Sequence, residues 1–301
     1  MELWIPITIC AAFLQNLRSA AQKHLKTVMG TTGATFVRFG FGFPFALIFL
    51  AVLHWAAGYE LPQLNSAFFG WAVVGALGQI VATFLLIHLF SFRNFAVGTA
   101  YSRTEPAQAA LFALVFLGEK ASLGAVAAIG ISVVGVMLIS VAHVAVSLRS
   151  MLSSTVSRNA LIGLASGTAF GISAVAYRAA SLALGGPNFM MQAAVTLAFV
   201  ISFQTAIMLA WMISRDHAEI GRIAKAWKLS LFTGFVGASA SFGWFAAMTL
   251  QQAAIVKSLA QIEMLFTFAA TVFFFKEKIN RLEIAGCALI VGGILVLLAA
   301  G

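Results

Sequence analysis

The fold class that this sequence predicts is an all-α membrane protein, with ten transmembrane helices in two inverted-topology five-helix repeats. Three observations predict it. Of 301 residues, 61% are hydrophobic and 9% charged, too few polar side chains to cover a water-facing globule of that size. Continuous apolar runs of roughly 20 residues, the length a spanning helix needs, fill nearly the whole chain, without the period-2 alternation of a membrane barrel. The second half also repeats the first: a shift of about 158 residues sets Glu105 on Glu263, Glu119 on Glu277, Lys120 on Lys278 and Gly135 on Gly293. An odd number of spans per repeat turns one half upside down relative to the other, as in inverted-repeat transporters.

The first repeat places its spans at about 3–22, 32–57, 68–90, 95–117 and 122–147. Span 1 follows Glu2, not the cationic region of a signal peptide, so it reads as a retained helix. Its polar interruptions are Gln15 and Asn16, with Arg18 near its far end. Span 2 carries Arg38, and span 3 carries Gln79 and, near its end, His88. Span 4 contains Tyr101-Ser102-Arg103-Thr104-Glu105-Pro106, and span 5 contains Gly130 and Gly135. Residues 148–157, rich in serine, form a cytoplasmic linker between the repeat of residues 1–147 and the repeat of residues 158–301, and the two repeats make one structural domain.

The second repeat has spans at about 158–183, 188–214, 229–249, 252–275 and 280–300. The loop between its second and third spans holds Arg215, Arg222, Lys225 and Lys228. Trp244 lies well inside span 8, Lys257 and Glu263 lie in span 9, and Gly286, Gly292 and Gly293 lie in span 10. Clusters such as Gly130/Gly135 and Gly286/Gly292/Gly293 allow helices to approach closely.

Lys and Arg in short loops accumulate on the cytoplasmic side. Here they collect in the loops after the odd-numbered spans, whereas the alternate loops hold Lys120, with Arg178 ambiguous. Both termini are therefore expected outside the cytoplasm, in a multi-pass protein of the inner cell membrane. The same sorting accounts for the net charge of +9 without nucleic acid as a partner. Cys10 and Cys287 are isolated, so neither a disulfide framework nor a metal site is expected. No phosphate-binding, metalloprotease or dinucleotide fingerprint occurs, so no cofactor is expected.

Charged and amide side chains inside a bilayer need a reason, because a mid-bilayer carboxylate costs at least about 2.5 kcal/mol. Glu105 and Glu263 each lie about ten residues into a span, roughly 15 Å deep at the helical rise. They are candidates for proton binding or substrate contact, or else structural carboxylates bonded to neighbouring helices. Tyr101, Glu105 and Gln108 share an i, i+4, i+7 face that can line a cavity. Arg103 reads as a structural ion-pair partner. Gln15 and Gln79 either bond a substrate or join helices, and Asn16 joins helices. His88 reads as an interfacial residue or a proton relay. Arg18 and Arg38 lie within snorkelling reach of the interface. Lys257 either snorkels or draws an anionic group to the external mouth. Trp4, Trp55, Trp71, Trp211 and Trp227 suit an interfacial belt, whereas Trp244 either stacks on a flat substrate or packs on other helices.

Several segments resemble the EamA family of the drug/metabolite transporter superfamily: Val37-Arg38-Phe39, the stretch from Phe95 to Glu119, Gly163 through Gly171, and Phe275-Lys276-Glu277-Lys278 with Ile284-Ala285-Gly286 and Gly292-Gly293. The resemblance covers the whole chain. It departs at Met264, where the family commonly has proline, so a kink is expected at Pro106 in span 4 and not in span 9. It implies a secondary transporter of ten helices that exports small metabolites, amino acids or drug-like compounds, nearest to aromatic amino-acid or general metabolite exporters. The expectation is a monomer, coupled or not to protons, that works by alternating access around a central, mostly apolar cavity. The alternatives are a facilitative carrier or exchanger without ion coupling, and a passive channel or lipid scramblase. An intramembrane enzyme would need a nucleophile and base or metal ligands at depth, and the scattered histidines do not supply them.

Overall fold

The computed structural model describes residues 2–92, 101–141, 158–186, 188–273 and 281–300, and every regular element among them is a helix. The first half builds α1 (Trp4–Leu25), α2 (Thr31–Gly40), α3 (Phe43–Ala51) running into a π turn at Val52–Ala56, α4 (Ser66–Leu89), α5 (Glu105–Leu117) and α6 (Leu123–Val141). The second builds α7 (Arg158–Ala183), α8 (Phe189–Arg215), α9 (His217–Lys225), α10 (Trp227–Leu250), α11 (Ala253–Leu259), α12 (Ile262–Phe273) and α13 (Arg281–Ala300). Local chemistry sets several ends. The Asn65 side chain accepts from Phe68 N–H at 2.9 Å to open α4, and Asn188 accepts from Met190 N–H at 2.9 Å to open α8, each satisfying an amide that the first helical turn leaves without a partner. Gly118 closes α5 at φ 66°, a left-handed backbone that glycine adopts without a Cβ clash.

Among the described residues, seven helices are long and apolar enough to cross a membrane, counting α2 and α3 as one. The expectation of ten transmembrane helices is met in part, as a helical membrane protein whose spans do not each form one helix. Span 9 is divided into α11 and α12 at Ala260 and Gln261, span 2 bends at Phe41 and Gly42, and α5 starts only after a turn at Arg103 and Thr104. The bend in span 2 sits at a close crossing: a Cβ on Gly42 would lie 2.5 Å from the Arg38 carbonyl oxygen, and one on Gly234 of α10 would lie 2.4 Å from the Phe41 carbonyl carbon. The first residues of span 4, the linker at 148–157 and the cations Arg93, Arg149, Lys276 and Lys278 lie outside the described residues.

The cation-rich segment expected as a loop contains helix α9. Its Glu219 is 1% exposed, accepts from Gly30 N–H at 2.8 Å and pairs with Arg222. The carboxylate thus meets the positive end of α2. Its partner lies 189 positions away in sequence, beyond the reach of any local pattern.

The main packed pairs are α4 with α7, α1 with α10, and α6 with α13. The repeat shift carries the first pair onto the second and exchanges the members of the third, so the pairing itself follows the internal repeat. Each joins a helix of one half to a helix of the other. Small residues dominate these seams, among them Ala72, Ala76, Ala174, Ala176 and Ala240, because lipid tails offer no hydrophobic drive and close backbone approach must supply the attraction. A Cβ on Gly135 would lie 2.7 Å from the Gly286 carbonyl oxygen, and one on Gly293 would lie 2.2 Å from Ser132 Oγ. Gly130 and Gly292, expected in the same role, have no such neighbour within 4 Å among the described residues. The outward faces carry exposed Leu111, Val115 and Leu295, as a surface solvated by lipid requires. Trp55, Trp211 and Trp227 are also exposed, but Trp4 is buried and its indole donates to Glu2.

Candidate functional site

The breaks in spans 4 and 9 each stand within two residues of an acidic residue that follows. Pro106 opens α5 beside Glu105, where a residue without N–H removes no intrahelical bond. The second break has no proline. Glu263 N–H donates to the Ala260 carbonyl and Met264 N–H to the Gln261 carbonyl, each at 3.0 Å, so a tight turn replaces the helical ladder. The expectation of a kink in span 4 alone is thereby corrected: both spans are interrupted. A carboxylate in the first turn of a helix is favoured by the helix dipole, so the two acids suit the ends that the breaks create.

The carboxylates are paired across the repeats. Lys257 of α11 brings Nζ to 2.9 Å from Glu105 Oε1, a charge contact that lacks the angles of a hydrogen bond. Arg103, just before α5, pairs with Glu263 of α12. The expectation that Lys257 snorkels or stands at the external mouth is corrected, since its side chain is 12% exposed and its Nζ also lies 4.8 Å from the centre of the Trp244 ring. Trp244 Nε1 donates to Gln15 Oε1 at 3.0 Å, and Gln15 Nε2 donates to Glu263 Oε2 at 2.8 Å. These contacts run from Glu105 through Lys257, Trp244 and Gln15 to Glu263 and Arg103, and the chain from Arg103 to Glu105 closes the ring. Asn16 adds a long bond, from Nδ2 to the Glu263 carbonyl oxygen at 3.4 Å.

The ring borders a cavity between α1, α2, α4, α7, α10 and α11 that admits water into about 50 Å³, room for a few molecules. Its walls include Gln15, Gln79, Glu105, Trp244 and Lys257. They are rich in charged and hydroxyl groups, which corrects the expectation of a mostly apolar cavity. Arg38 and Arg18 also line it, 3% and 4% exposed. Neither snorkels; both turn inward between helices. Opposite them, Tyr177 donates its hydroxyl hydrogen to Gln79 Oε1 at 2.8 Å, while Gln204 Nε2 donates to the Ala76 carbonyl at 3.1 Å and lies 3.2 Å from both Gln79 Oε1 and the Tyr177 hydroxyl. Gln79 therefore joins α4, α7 and α8, the helix-joining reading of that residue, while also reaching the cavity.

Other expected residues stand apart. Tyr101 is buried beside Ala160, Met137 and Leu164, and Gln108 donates to Thr104 Oγ1 at 2.7 Å and accepts from Thr168 at 2.6 Å. The common face expected for Tyr101, Glu105 and Gln108 is lost because the turn at Arg103 and Thr104 resets the helical phase. His88 stacks on Phe84 and meets Phe92 edge to face, with ring centres 6.2 and 5.0 Å away. Sequence reasoning missed Tyr177 and Gln204; the available signal was a polar residue inside an apolar run on each of two helices. Arg178, ambiguous in the charge sorting, donates to Glu119 at 2.7 Å and to the Met248 and Gln251 carbonyls at 2.6 and 2.8 Å, tying α7 to the ends of α5 and α10.

A solved crystal structure covers 99% of this chain and 97% of its own at a TM-score of 0.73 and 18% identity, which establishes a shared fold and nothing finer. No curated protein matches the sequence. The model of the EamA-like transporter family matches twice, over residues 2–141 and 158–299, one match for each half. Such matches account for nearly the whole chain, and the family comprises transporters, not enzymes: the chain belongs to the EamA-like transporter family.

Proposed function

We propose that the chain is a monomeric secondary transporter that exports a small metabolite, amino acid or drug-like compound by alternating access. The observation that carries this reading is the ring of contacts through Glu105 and Glu263. Each acid stands at a helix break and is neutralised by a cation from the other repeat. If the repeats rock against each other in inverted orientation, both ion pairs and the Gln15 bridge must loosen, which couples the state of the cavity to the relative position of the halves. The units that move are residues 1–147 and 158–301, joined by a cytoplasmic linker, with both termini outside the cytoplasm of a cell bounded by this inner membrane. A proton taken up by Glu105 would release Lys257 and so bias one side of the cycle.

The test is flux of a substrate panel in proteoliposomes, with and without a pH gradient. Saturable counterflow is expected; non-saturable flux sinks the carrier reading and points to a channel. A reporter active only in the cytoplasm, fused to the C-terminus, should stay silent, and a strong signal would reverse the topology. Exchange without ion coupling is the second reading. The pairing of both carboxylates with cations favours it, because each acid already has its counter-charge within the protein.

A further inference from the structure

Resting on the transporter reading, we propose that the central cavity selects organic anions, a carboxylate or a phosphate monoester on a flat apolar body, and that Arg18 and Arg38 form the anion site. Arg18 is 4% exposed, and its Nε and Nη1 have no hydrogen-bond partner among the described residues. The charges it senses most are two further cations, Arg38 and Arg103. Arg38 is 3% exposed, donates from Nη1 to the neutral Thr83 hydroxyl at 3.0 Å and lies 5.4 Å from the Phe39 ring centre. The two stems run side by side over Gly237 of α10, where a Cβ would meet Arg18 Cδ at 3.3 Å and Arg38 Cγ at 3.6 Å.

Four cations, Arg18, Arg38, Arg103 and Lys257, thus stand against two carboxylates, and both carboxylates are taken by Arg103 and Lys257. Among the described residues, neither Arg18 nor Arg38 forms an ion pair, although Arg38 is near enough to Glu105 to feel its charge. A buried guanidinium without an ion pair is costly, and its planar fork matches the paired oxygens of a carboxylate or phosphate. The cavity's aromatic walls, Phe170, Tyr177, Trp244 and Phe245, suit a flat apolar remainder, for which the halves must part beyond the present room for a few waters. With Glu105 and Glu263 already neutralised, an added ammonium group gains nothing here, so an acid is favoured over an amine or a neutral isostere.

The test uses the full-length protein in detergent with phenylacetate and phenyl phosphate as anionic probes, phenylacetamide as the neutral isostere and phenethylamine as the cation. Affinity is read from the dependence of the unfolding temperature on probe concentration. At least one anion should bind tenfold or more tightly than phenylacetamide. A tenfold preference between the two anions identifies the head group as carboxylate or phosphate. Arg18→Gln should remove the preference over the amide, and Arg18→Lys should restore part of it; Arg38→Gln provides the same readout if the Arg18 variants do not fold. Equal binding of acid and amide, no shift with either anion, or unchanged anion affinity in both Gln variants overturns the proposal. In proteoliposomes, an anion that binds without counterflow removes the transporter reading and leaves the anion site. Counterflow of phenethylamine or phenylacetamide alone removes the anion site and leaves the transporter reading.

Discussion

Glu105 and Glu263 occupy equivalent positions in the two repeats, yet their surroundings differ in kind. Glu263 is 3% exposed and is held by Arg103, by Gln15 and, through its carbonyl, by Asn16. Glu105, with its side chain 18% exposed, lies on the cavity wall and meets Lys257 without hydrogen-bond geometry. A carboxylate bound on several sides is suited to hold structure. One met by an ammonium without hydrogen-bond geometry is suited to change its partner. Repeat symmetry places the two acids; it does not give them the same work.

The largest effect expected from this difference is on coupling. If transport is proton-driven, Glu105→Gln should abolish uphill accumulation in proteoliposomes while leaving downhill exchange. Uphill transport that persists in Glu105→Gln, Glu263→Gln and the double variant would end the carboxylate-coupling idea. In stability, the order reverses. Glu263→Ala strands the Arg103 guanidinium near Arg18 and should cost about 3 kcal/mol in reversible unfolding. Glu105→Ala should cost about 1 kcal/mol, because Lys257 keeps its contact with the Trp244 ring. Removing Arg103 as well should recover part of the Glu263→Ala loss, and equal losses at the two acids would erase the comparison.

A substitution far from both acids calibrates the scale. Gly293→Leu forces a side chain against Ser132 and Ala128 in the α6 and α13 seam and should cost about 2 kcal/mol. Gly292→Leu, facing open space, should stay within about 0.5 kcal/mol. A smaller effect than that of Gly293→Leu is expected for Trp244→Phe, which keeps an aromatic face for Lys257 but removes the bond to Gln15. A loss of about 1 kcal/mol is expected, and it should vanish in a Glu263→Ala background if Gln15 serves chiefly to relay the indole to that carboxylate.

Much of the site's membership was legible in the sequence, because a charged or amide residue inside an apolar run is visible without a structure. Gln15, Gln79, Glu105 and Lys257 were singled out that way, Trp244 as a tryptophan away from the interfaces, and all reach the cavity. Their partners were not legible. Gln15 and Glu263 are 248 positions apart, and no periodicity connects residues at that distance. Tyr101 and Gln108 failed for a different reason: the i, i+4, i+7 argument assumes an unbroken helix, and the turn at Arg103 and Thr104 breaks it.

The sequence by itself determined an all-α membrane protein with a twofold internal repeat, since apolar run length, charge depletion and repetition are properties carried along the chain. Tertiary structure alone decided that span 9 breaks without proline, that α9 docks Glu219 on the start of α2, and that Arg18 and Arg38 turn inward instead of snorkelling. In each case the physical reason is the same. The preferred state of a polar group in a dry interior depends on which partner lies within a few ångströms after folding, and that distance is not written in its neighbours along the chain.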